Sequence, residues 1–134
     1  MATTEEVIDM LKVVYCMEFE TVMNYVANST NLDGVRAEEI KKSLATDVAV
    51  ELVPGSASVT VGVQRQPPDD TTDVVNVIEA VIEAEQAACD QYKKIIRATE
   101  GDDYVTQDLC IRLLADEEEH LVLFKGFLKE YSPN

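Results

Sequence analysis

The sequence predicts an all-α fold, an antiparallel four-helix bundle with a long crossover between its second and third helices. Three observations carry that prediction. Apolar residues recur at three- and four-residue spacing through most of the chain, and helix breakers separate four such runs. The links between the runs are short, long and short, as two hairpins joined by one crossover require. With 134 residues, 46% of them hydrophobic and 28% charged, the chain has material for one core. It is expected to form a single domain over residues 1–134.

Each element has its own signals. Thr4 can cap a first helix that begins at Glu5, with acids in the first turn where the macrodipole favours them. The apolar spacing runs from Val7 to Val26, and Asn28-Ser29-Thr30-Asn31 ends it. A second helix should start near Asp33-Gly34, carry Ile40, Leu44 and Val48 on one face, and end at about Val53 before Pro54-Gly55. Residues 54–73 read as an irregular connector, in which Val59, Val61 and Val63 alternate like a short extended segment. A third helix should run from Thr72 or Asp73 to Thr99, with Gly101 as its C-terminal cap. Asp103 then caps a fourth, which continues to about Glu130.

Composition excludes several classes of function. There are 26 acidic side chains against 11 basic ones, a formal net charge of −15. A nucleic-acid face needs a basic stripe, and the basic residues here are scattered. An anionic membrane surface would be repelled for the same reason. No apolar run reaches the roughly 18–20 residues of a membrane span. The opening stretch MATTEEVIDM has neither the basic nor the apolar region of a secretory signal. Cys16, Cys89 and Cys110 have no short-range pairing and read as reduced thiols; Cys16 and Cys89 are most simply small core fillers. A soluble cytoplasmic protein is expected.

The informative acids stand in line with apolar residues. In the fourth helix Leu113, Glu117, His120, Phe124 and Phe127 share one face. The third aligns Ile78, Val81, Ile82, Glu85, Ala88, Cys89, Tyr92 and Ile96. The first aligns Leu11, Val14, Glu18, Val22 and Tyr25; the second aligns Ile40, Leu44, Val48 and Glu51. Each helix thus carries one inward glutamate. Glu18 precedes Tyr25 by seven residues, and Glu85 precedes Tyr92 by seven. Glu18 to Glu51 is 33 residues and Glu85 to Glu117 is 32, so the chain reads as two related hairpins.

Burying a carboxylate without compensation costs several kcal/mol, and four at one level would split the bundle or take up protons. Two divalent cations would cancel four such charges, and carboxylate with imidazole suits iron, manganese or zinc. Glu18, Glu51, Glu85, Glu117 and His120 are therefore the candidate ligands, with Tyr25 and Tyr92 placed to hydrogen-bond them. Cys89, one turn from Glu85, could also contact a bound metal. A plainer reading exists for each part. Asp116 to His120 is also an acidic run, and such runs are usually solvated. A lone histidine or an isolated tyrosine is more often structural. The combination of four helices, four inward glutamates and the repeat favours the metal.

These residues resemble the ferritin-like superfamily, the carboxylate-bridged di-iron bundles that include bacterioferritins and rubrerythrins. In that pattern the first and third helices supply a glutamate followed seven residues later by an aromatic, and the second and fourth supply Glu-x-x-His. Glu18…Tyr25, Glu85…Tyr92 and Glu117-Glu118-Glu119-His120 match three elements. The second is broken, because Glu51-Leu52-Val53-Pro54 puts proline where the family has histidine. The resemblance implies up to two ions per chain and reaction with oxygen or peroxide, of ferroxidase or peroxidase kind. No rubredoxin-like Cys-x-x-Cys pair is present to supply electrons. Asp47 is an alternative ligand if the short second helix shifts. Shortening that helix leaves apolar surface that a second subunit could cover, so a homodimer is expected. The competing reading is a non-catalytic bundle, a structural or interaction module that retains the glutamates without productive metal binding.

Overall fold

The fold is all-α and four-helical. A computed structural model describes residues 1–31, 38–40, 42 and 72–131. The first helix spans Thr4–Asn31, the third Val74–Ala98 and the fourth Tyr104–Tyr131. Residues 38–40 and 42, within the predicted second helix, are helical, and Ile40 is fully buried. Glu51, Asp47, Pro54 and the alternating valines at 59–63 lie outside the described residues.

Local chemistry accounts for the helix ends. The first helix starts one residue earlier than Thr4 capping would allow, because Thr3 is the cap. The Glu6 amide donates to Thr3 Oγ1 at 3.2 Å, and the Thr3 amide donates to Glu6 Oε2 at 2.7 Å. This reciprocal Thr-x-x-Glu box satisfies two otherwise orphaned donors. Asp73 caps the third helix through the Val75 amide, which donates to Asp73 Oδ1 at 2.9 Å. Asp73→Ala should cost about 1 kcal/mol, read as a fall of a few degrees in thermal midpoint. After Ala98 the chain reverses through Gly101, whose φ of 78° is the left-handed turn that glycine adopts without strain. Asp103 then receives the Thr106 amide at 3.1 Å and opens the fourth helix.

The third helix packs against both the first and the fourth. Two apolar clusters result. One joins Tyr25, Ile40, Val74, Val77, Ile78, Val81, Phe124 and Phe127. The other joins Val14, Ala88, Tyr92, Ile95 and Cys110. The N-terminal half of the third helix therefore meets the C-terminal halves of the first and fourth, so both pairs are antiparallel. Between the clusters, every long helix changes from apolar to ionisable side chains: Glu18, Glu85, and Glu117 with His120.

The first helix departs in detail from its predicted inward face. Val14 and Tyr25 are buried as expected, but Leu11, Glu18 and Val22 are only half-buried, while Val7, Cys16 and Thr21 are buried. Its other side exposes Ile8, Tyr15, Phe19 and Met23. Leu113, Ile82 and Ile96 are also half-buried at the margins of the core. Among the described residues no helix is long and apolar enough to cross a membrane.

Candidate metal centre

A single rotation step decides which acid of the run Asp116–Glu119 enters the core. Successive helical residues are turned about 100° apart, and of the four only the one seven residues after Cys110, four before Leu121 and seven before Phe124 shares their face. That residue is Glu117, which is 4% exposed. Asp116, Glu118 and Glu119 face outward, and Glu118 forms a 3.0 Å ion pair with Lys93 at the surface. His120, one turn beyond Glu117, is half-buried on the same side. Glu85 arrives opposite them from the third helix, 2% exposed.

Glu85, Glu117 and His120 each bring one potential ligand atom within 4.8 Å of the others. His120 Nδ1 stands 3.8 Å from Glu85 Oε2 and 3.8 Å from Glu117 Oε2. These distances are too long for hydrogen bonds. An ion bonded to two such atoms at about 2.1 Å can span up to about 4.2 Å between them. The two carboxylates with a neutral imidazole match the charge and donor preference of a divalent transition ion. Glu117 Oε2 is buried and receives no hydrogen bond. A buried carboxylate oxygen of this kind is costly unless something positive completes it. The residues present fit a metal.

The tyrosines are exchanged between helices. The Tyr25 hydroxyl, on the first helix, donates to Glu85 Oε1 on the third. The Tyr92 hydroxyl, on the third, donates to Glu18 Oε1 on the first at 2.7 Å. Seven residues along one helix is a rise of about 10.5 Å, too far for a tyrosine to reach the glutamate that precedes it. Antiparallel packing brings each within reach of the other helix's glutamate instead. Both tyrosines are buried and thus fixed in these roles. Gln91, which sequence periodicity did not single out, is also buried and donates to the Met10 carbonyl at 3.1 Å. It ties the same two helices together, and its sequence signal is its place just before Tyr92, as Asn24 stands just before Tyr25.

The electrostatics follow from crowding acids into an apolar slab. Burial pushes the Glu117 carboxyl up to about 8; the nearby His120 imidazole opposes the rise and the adjoining Glu85 adds to it. Burial, then the Glu117 charge, pushes Glu18 up to about 7, against the pull of the Tyr92 hydroxyl and His120. The Tyr92 phenol is raised by burial and by Glu18, so it stays a donor. Cys89, one turn from Glu85, is pushed up to about 11 by burial and then by Glu117, and stays a thiol. Of the five predicted ligands, three converge, Glu18 lies near enough to feel the Glu117 and His120 charges while accepting from Tyr92, and Glu51 lies outside the described residues.

The sequence pattern of the ferritin-like domain matches residues 48–132, which include Glu85, Glu117 and His120. The chain belongs to the ferritin-like family. No curated protein matches it. Glu18 and Tyr25 precede the matched span, yet in the fold they meet its ionisable residues through the crossed tyrosine bonds.

Proposed function

We propose that this ferritin-like chain is a non-haem metalloprotein that binds iron or manganese and reacts with oxygen or peroxide. The observation that carries the reading is Glu117 Oε2, buried without a hydrogen bond beside Glu85 and His120. Those three residues would hold the ion. When bound, a redox-active ion supplies electrons to the oxidant. The chain's own residues prepare the place for it. Tyr25 occupies Glu85 Oε1 and so directs Oε2 towards His120 and Glu117. The apolar clusters on either side limit water, which strengthens the electrostatic attraction of the site for a cation. Because Glu117 holds its proton near neutral pH, binding should release that proton and tighten as pH rises to about 8.

Metal analysis of the purified protein, before and after anaerobic loading with ferrous or manganous ion and desalting, tests the reading. At least one ion per chain is expected, with turnover of oxygen or peroxide by the loaded form. Less than a tenth of an equivalent of iron, manganese or zinc after loading would instead favour a non-catalytic bundle. Pro54 in the position of the family histidine is the feature that speaks for that second reading.

A further inference from the structure

We propose that the centre is mononuclear: one transition-metal ion per chain, held by Glu85, Glu117 and His120, with Glu18 serving as the acceptor that positions Tyr92. The inference rests on the metalloprotein reading above and departs from the two-ion arrangement that the family resemblance implies. The first argument is donor supply. The whole chain of 134 residues contains one histidine. Imidazole is the donor that favours a transition ion over magnesium or calcium in a site otherwise made of carboxylates. Only one ion per chain can have it.

The second argument is placement. Among the described residues, the set whose ligand atoms lie within 4.8 Å of one another is Glu85, Glu117 and His120. Glu18 is described and buried enough to matter, yet it is not in that set. Its Oε1 accepts the Tyr92 hydroxyl at 2.7 Å. A second ion would depend on Glu18 and on the stretch Glu51-Leu52-Val53-Pro54, where proline offers no side-chain donor. Such an oxygen-only position would hold a transition ion far more weakly than the histidine-bearing one.

Charge agrees with this assignment. Two carboxylates and a neutral imidazole bring one divalent ion to neutrality, so the buried set is complete with a single occupant. Glu18 is then a separate acid whose partner is the Tyr92 hydroxyl. Its role is to fix the first helix against the third at the level of the site, through a hydroxyl that donates and an oxygen that accepts.

Calorimetric titration with zinc and with manganous ion, paired with mass spectrometry of the native complex, decides the stoichiometry. One ion per chain is expected in the parent. Glu18→Gln retains an acceptor oxygen for Tyr92 and should keep that ion within about threefold of the parent affinity. His120→Gln should lose on the order of 100-fold or more, since even partners of ligands are commonly worth 10–100-fold. Circular dichroism and thermal midpoints of each variant separate lost ligation from lost folding. Two ions of comparable affinity, with the second lost in Glu18→Gln, would overturn the mononuclear assignment while leaving the metalloprotein reading intact. No bound ion in the folded parent would sink both.

Discussion

Raising the pH of the metal-free protein from 5 to 9 should lower its unfolding free energy by about 3–5 kcal/mol. Glu117 and Glu18 hold their protons to about 8 and about 7 in the folded chain, against 4.5 for an ordinary glutamate. Between those values the folded state binds more protons than the unfolded one, so stability falls as pH rises. The contribution is fully present below about 4.5 and is lost as pH passes through 7 and 8. At about 1.4 kcal/mol per pH unit of separation, the two groups set a ceiling near 8 kcal/mol. Their mutual coupling and the entry of water reduce it. A loss of 3–5 kcal/mol would still be a large part of the 5–15 kcal/mol typical of a domain.

The chain's formal net charge of −15 acts in the same direction at the acid end of this range, where self-repulsion grows as the last exposed carboxylates ionise. Salt separates the two contributions, since exposed charges are screened and buried ones are not. In about 0.5 M sodium chloride, thermal midpoints should still fall between pH 5 and 8.5. Glu117→Gln should remove about half of that slope. A flat or rising midpoint across this range would contradict the burial assigned to the two carboxyls. Bound metal should reverse the sign, since it occupies the place of the protons and binds best once they have left.

Much of this arrangement was legible in the chain because helical periodicity is a strict geometric filter. Glu85 falls four residues from Val81 and three from Ala88, Glu117 falls seven from Phe124 and ten from Phe127, and the structure buries all of them, while Leu113 of the same predicted face is half-buried. Glu18 obeyed the same spacing but ended half-buried. The first helix turns Val7, Cys16 and Thr21 inward as well, so its inward face is displaced from the predicted one. The Thr3–Glu6 box was hidden by a choice among adjacent threonines that only the reciprocal bonds resolve. Spacing also set the tyrosines in line with the glutamates without saying which glutamate each would serve. That pairing is a property of two antiparallel helices and is not contained in either alone.

Glu117→Leu should make the metal-free protein more stable at pH 8, by about 1–4 kcal/mol, and should abolish its response to metal. The substitution replaces a buried, incompletely bonded carboxylate by an apolar side chain of similar size, in line with Leu121 and Phe124. Exchanges of this kind are commonly neutral or stabilising by that amount, because the desolvation cost of the charge disappears. At pH 5 the gain should shrink, since the parent carboxyl is already protonated there. The parent, by contrast, gains about 4 kcal/mol from an ion at a thousandfold excess over its dissociation constant, a rise of roughly 10 °C or more. The variant should show none of it. Were Glu117→Leu destabilising at pH 8 with its helical content intact, the carboxylate would have to be compensated within the metal-free fold, and the case for an ion beside it would fail. If instead the variant is more stable and metal-blind, the cost of burying Glu117 is borne for ligation, because helix packing alone is better served by leucine.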